Sequence, residues 1–110
     1  MKKAIFIDVD GTLRNDDEIV TKRTKEALDK VKLIGYEIVV CTGRPADFAL
    51  KVNIECNGGR YIIFNNGAGI LDTLDNKIIY LNTMNKESLL ELYNIAESKG
   101  FRFLAAANGT

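Results

Sequence analysis

Three short apolar runs, separated by stretches of helical periodicity, constrain this chain more than any other feature. The first, Ala4 to Ile7, is continuous rather than alternating, the pattern of a parallel strand covered on both faces. "YEIVVC" (Tyr36 to Cys41) and "YIIF" (Tyr61 to Phe64) read as second and third strands of the same kind. Between the first two runs, Ala27, Leu28, Val31 and Ile34 fall at helical spacing, with Thr21 placed to cap the start and Gly35 to end it. Between the second and third, Pro45 suits the first position of a helix running to about Val52, and Asn57 to Gly59 form a loop. The order β-α-β-α-β predicts an α/β fold built on an open sheet.

After Asn65 the texture changes. "ILDTLDNKIIYL" reads as a hairpin with Asp75 and Asn76 at its turn. Asn85 is placed to cap a helix whose Leu89, Tyr93 and Ala96 share one face, and Gly100 to end it. "FRFLAA" alternates enough to predict a last, half-exposed strand. A boundary falls at Asn65 to Gly69. A length of 110 residues suits one domain, or a domain plus a piece of another. Fifteen basic and fifteen acidic residues cancel, so there is no global electrostatic case for nucleic acid or an anionic membrane as partner. With no histidine, and with Cys41 and Cys56 outside CxxC spacing, a zinc site or a histidine-based triad is nearly excluded. Buried free thiols are expected instead. No run approaches a membrane span, and the opening oily segment is too short for a signal peptide. A cytoplasmic location is the expectation.

The first strand ends in "DVDGT". Burying a charge is costly unless it is paired or bound to a metal, so two acids at a strand end need a reason. Residues two apart on a strand share a side, and at ~3.3 Å per residue the α-carbons of Asp8 and Asp10 lie roughly 6 to 7 Å apart. That leaves room for a phosphoryl group at one carboxylate with its leaving oxygen near the other. Thr42 and Gly43 follow the second strand, so they stand at the same carboxyl end of the sheet, where open α/β sheets bind ligands. A hydroxyl and backbone N–H groups there can hold phosphate oxygens. An ordinary aspartate is ionised at neutral pH, which suits Asp8 as a nucleophile. Asp10 would give a proton to the leaving group and later take one from water. An anion attacking a phosphate needs a cation, and magnesium binds through one or two carboxylates plus substrate phosphate.

"DVDGTL" and "CTGRP" resemble the first and second motifs of the haloacid dehalogenase-like hydrolases, many of them magnesium-dependent phosphatases. "NNGA" at Asn65 to Ala68 resembles the stretch that leads into a large α/β cap in their Cof-type branch. The resemblance implies a partial Rossmann-like parallel sheet of three core strands in the order 3-2-1, with residues 1–66 as core and 67–110 as the beginning of a cap. It implies Asp8 as nucleophile and magnesium ligand. Asp10 would be general acid/base, with its main-chain carbonyl also on the metal. Gly11, Thr12, Thr42, Gly43 and Arg44 would surround the phosphate. Asn66 would lie at the hinge near the substrate, a position that a plain Asn-Gly turn explains as well. The substrate class implied is a small phosphorylated metabolite such as a sugar phosphate.

The family also uses a basic residue in a third motif and an acidic pair in a fourth, both after the cap. Asp16 and Asp17 fall in the loop after the first motif, and Asp72 and Asp75 flank the expected hairpin turn, so neither pair matches. The chain therefore reads as the N-terminal portion of a longer enzyme, weakly active or inactive alone. A non-catalytic binding module with a partial phosphate and magnesium pocket is the alternative. Right-handed crossovers in the order 3-2-1 put both helices on one face. The other face and the free edge of the first strand would then favour self-association, or coverage by residues 69–110.

Overall fold

The computed structural model describes residues 1–107. The elements follow in the order β1 (Lys3–Asp8), α1 (Lys22–Leu33), β2 (Tyr36–Cys41), α2 (Ala46–Glu55), β3 (Tyr61–Phe64), a single 3-10 turn at Asn65–Gly67, β4 (Gly69–Asp72), β5 (Lys77–Leu81) and α3 (Lys86–Ser98). The strands make one five-stranded sheet in the order β1-β2-β3-β4-β5. β1–β2 and β2–β3 are parallel, as the crossover helices require, and the hairpin β4–β5 adds antiparallel strands beyond β3. The parallel part keeps the expected 3-2-1 order. The sheet as a whole is mixed, because β4 takes the open edge of β3.

Both helices lie on one face. Leu28 of α1 and Val52 of α2 join Val9, Ile38, Val40 and Cys56 in one buried cluster, with Ile5 and Ile7 packed against it. Ala46 and Ala49 of α2 form a second cluster with Ile62, Phe64 and Leu71. Each fully buried side chain of this kind contributes about 1.5–3 kcal/mol. Thr21 caps α1 through a side-chain bond from the Thr24 amide, and Gly35, at φ +94°, leaves the helix end as only glycine does freely.

Several expectations change. Ala27 and Ile34 are exposed, so α1 contributes Leu28 and Val31 to the core. α2 runs past Val52 to Glu55 because Asn53 and Cys56 are also buried, and Pro45 stands at the cap instead of the first helical position. α3 buries no residue. "FRFLAA" forms no strand. A strand needs an edge to pair with, and this segment pairs with neither β1 nor β5. It turns back along α3 instead: Gly100 takes a positive φ, the Phe101 amide bonds the Ala96 carbonyl, and the Phe103 ring meets Tyr93 edge-on at 5.8 Å.

Among the described residues, no helix covers the other face of the sheet. Phe6, Val39, Tyr61, Ile63, Ile70 and Ile79 line an open groove of about 390 Å³, and Phe6 is 63% exposed. Residues 69–81 extend the sheet sideways rather than crossing this face, and none of residues 82–107 lines the groove. The groove and the free edge of β1 are the surfaces on which the expected self-association would have to occur. Among the described residues, no helix is long and apolar enough to cross a membrane.

Candidate active site

Asp8 is the last residue of β1 and pairs in register with Cys41, the last of β2. Parallel pairing therefore carries Thr42 to the same end of the sheet as Asp8. The turn that follows is laced to β3 and its exit. The Thr42 amide bonds the Ile63 carbonyl at 3.0 Å, the Asn66 amide bonds the Thr42 carbonyl at 3.1 Å, and the Asn65 amide bonds the Arg44 carbonyl at 3.0 Å. Asn65 and Asn66 both take the left-handed conformation, at φ 48° and 56°, which asparagine tolerates better than most residues. This double turn brings the Asn66 side chain onto Gly43. A Cβ at position 43 would sit 2.7 Å from Asn66 Oδ1, so glycine is what allows the approach.

A pocket of about 290 Å³ results, lined by Asp8, Cys41, Thr42, Gly43, Asn66 and Gly67 together with Ile63. Thr42 is buried, and its hydroxyl oxygen accepts a bond from the Arg44 amide at 3.1 Å. A hydroxyl carries one donor as well as two acceptor sites. With an acceptor site so engaged, the O–H proton remains available to an anion. Cys41 is half-buried and free. Burial pushes its thiol above the ordinary range and the neighbouring Asp8 charge adds to this, against a backbone hydrogen bond at Ile7. The thiol is neutral at pH 7 and is an apolar wall of the pocket rather than a nucleophile.

The structure thus brings together Asp8, Thr42, Gly43 and Asn66. Asp10, Gly11, Thr12 and Arg44 do not line this pocket. Val9 is fully buried in the helix-side core and Asp10 is exposed. Gly11, at φ +79°, turns the chain, and the Thr12 and Arg14 amides both bond the Val9 carbonyl, at 3.2 and 3.0 Å. Arg44 reaches sideways to Asp10. Its Nε lies 3.2 Å from Oδ2 and its Nη2 3.3 Å from Oδ1. The sequence suggests Arg44 as a phosphate ligand and assigns no role to Phe48 or Arg14. Both guanidinium groups meet the Phe48 ring, at 4.7 Å for Arg44 and 5.3 Å for Arg14. An aromatic residue on a helix reads as core, and Arg14 carries no motif.

Among the described residues, no group of three or more acidic, cysteine or histidine side chains could hold a metal by itself. The pocket lining offers one carboxylate, that of Asp8, and the family resemblance would add the main-chain carbonyl of Asp10 as a second oxygen. Hard oxygen donors few in number fit magnesium, which keeps several waters and takes phosphate oxygens alongside one or two carboxylates. They do not fit a closed structural site.

The family model described as haloacid dehalogenase-like hydrolase matches residues 5–110. "Putative phosphatase YxeH" of Bacillus subtilis is 37% identical over 99 residues, which cover 87% of this chain and 37% of that protein. Phosphatase YwpJ of the same organism is 32% identical, over 92% of this chain and 35% of its own length. A haloacid dehalogenase-like hydrolase structure from B. subtilis superimposes with a TM-score of 0.79 at 30% identity, covering 89% of this chain and 34% of that one. A sugar phosphatase of subclass IIB of the same superfamily gives 0.75 at 30% identity, over 89% and 38%. The chain spans well under half the length of the relatives it matches. The matched motifs, the parallel β1-β2-β3 order and the family model agree: this chain belongs to the haloacid dehalogenase-like hydrolases, in their Cof-type branch.

Proposed function

We propose that this chain carries the nucleophile half of a magnesium-dependent phosphate monoester hydrolase site, acting through an aspartyl-phosphate at Asp8. The observation that carries the reading is the convergence of the Asp8 carboxylate, the Thr42 hydroxyl and the Gly43 turn on one small open pocket. Relatives named as phosphatases, and a sugar phosphatase of similar fold, support small phosphorylated metabolites as the substrate class.

In this mechanism a carboxylate oxygen of Asp8 attacks phosphorus and the bond to the ester oxygen breaks. Asp10 gives the departing oxygen its proton, and the alcohol leaves. Asp10 then takes a proton from water as that water attacks the phosphoryl group. The bond to Asp8 breaks, releasing inorganic phosphate and restoring the carboxylate. Thr42 Oγ–H and backbone N–H groups of the Gly43 turn donate to the phosphoryl oxygens, holding them as charge shifts between them. Asp8 and the Asp10 carbonyl would hold magnesium, which supplies positive charge against the phosphate oxygens.

The pocket lining includes no lysine or arginine. This favours one second reading for the 110-residue chain alone: a module that binds phosphate and magnesium with little turnover. Losing one preorganised contact costs on the order of a hundredfold in rate. Weak magnesium-dependent hydrolysis of an aryl phosphate is expected from the chain, and Asp8→Asn should remove it. Turnover that survives Asp8→Asn overturns the assignment. Phosphate binding without any Asp8-dependent turnover selects the second reading.

A further inference from the structure

Asp10 and Arg44 stand on different loops, and nothing in the backbone of either loop fixes where the guanidinium points. Their side chains are 50% and 49% exposed, and an exposed ion pair holds long side chains only weakly. What fixes Arg44 is a third element. Phe48, in the first turn of α2, packs against the buried cluster around Val9 and Val52 and presents its ring to the Arg44 guanidinium at 4.7 Å. The same ring receives Arg14 at 5.3 Å. Arg14 in turn bonds Glu55 at 3.2 Å, and the other oxygen of Glu55 accepts the Val20 amide at 3.3 Å. Phe48 and Glu55 are seven residues apart and so lie on one face of α2.

Two cations meet one ring without a net repulsive cost because each has its own carboxylate, Asp10 for Arg44 and Glu55 for Arg14. Ring contact limits the rotamers of each arginine and favours a cation over its face. The chain of contacts therefore runs from the rigid helix through Phe48 and Arg44 to both oxygens of Asp10.

We infer that Phe48 is the positioning residue of the acid/base: through Arg44 it sets where the Asp10 carboxylate waits. The functional meaning rests on the role proposed above for Asp10, but the contact itself is tested without any turnover. The experiment is NMR on the intact 110-residue chain with labelled arginine and aspartate side chains. It follows solvent exchange of the Arg44 Nε–H and the carboxylate resonance of Asp10. Arg60, whose Nε donates to Asp72, serves as internal reference for folding.

Phe48→Leu should speed Arg44 exchange by about tenfold or more and move the Asp10 resonance, with Arg60 and Asp72 unchanged. Phe48→Tyr, which keeps the ring, should restore both within about twofold. Arg44 exchange in Phe48→Leu within about twofold of the parent would reduce Phe48 to core packing and overturn the inference. If Phe48→Leu unfolds, the unsubstituted chain still decides. Nuclear Overhauser contacts between the Phe48 ring and the Arg44 side chain are expected, and their absence overturns the inference directly.

Discussion

Two arginine–aspartate forks close loops in this molecule, and they differ mainly in the burial of the aspartate. Arg60 reaches Asp72 with Nε at 2.9 Å and Nη2 at 2.6 Å. Asp72 is 4% exposed, and it also accepts the Leu74 amide at 3.0 Å. Around it, the Thr73 amide and hydroxyl both bond the Arg60 carbonyl at 2.8 Å. The Arg44–Asp10 fork is longer on both arms and half exposed. Each arginine lies over an aromatic ring, Tyr61 or Phe48. The chemistry is therefore alike, and the surroundings divide the roles. The fork on the buried Asp72 ties the start of β3 to the end of β4 and has no reason to open. The exposed one holds an acid that, in the proposed reaction, must leave it to reach substrate.

The sharpest way to break this contrast is to remove one carboxylate at a time. Asp10→Asn should lower Asp8-dependent turnover by about 10²–10⁴-fold while changing stability by at most ~1 kcal/mol, because the lost pair is exposed. Kinetics and melting of the same variant check both halves. A large stability loss with little change in rate would make Asp10 a structural acid.

Asp72→Asn should do the reverse. It leaves Arg60 without its counter-charge, so the melting temperature should fall further than for Asp10→Asn, with phosphate affinity at Asp8 intact. The hydrogen bond from Arg60 holds the Asp72 carboxyl below the usual carboxylate range, aided by the Leu74 amide and opposed by burial. A depressed folded-state value stabilises the fold above the unfolded pKa of about 3.9 and is lost as pH falls through the folded value. The melting difference between parent and Asp72→Asn should therefore be full at neutral pH and shrink in acid below about pH 4. A difference that grows on acidification contradicts the assignment.

The two forks also mark how much could be read from residues alone. β2 and β3 begin and end where "YEIVVC" and "YIIF" do, because short stretches rich in β-branched and aromatic residues, bounded by turn residues, mark strands. Asp8, Thr42 and Gly43 were legible because parallel register alone brings them to one end. Asp72 was not. It reads as an acid beside a hairpin turn, and only the β3–β4 pairing of Tyr61 with Asp72 places it beside Arg60. Arg44 reads as a phosphate ligand because it adjoins Thr42, yet its guanidinium is 34 positions from the carboxylate it holds. "FRFLAA" alternates like a strand, but alternation says which side of a strand would be wet, not whether an edge waits to pair with it.

The central claim is that Asp8, and no other acid in the loop after β1, accepts the phosphoryl group. The direct measurement is to incubate the chain with acetyl phosphate and magnesium, reduce any acyl phosphate with borohydride, and locate the resulting homoserine by mass spectrometry. The account predicts label at Asp8, absent without magnesium and absent in Asp8→Asn. Label at Asp10, Asp16 or Asp17, or no label at Asp8 under saturating phosphodonor, would contradict it.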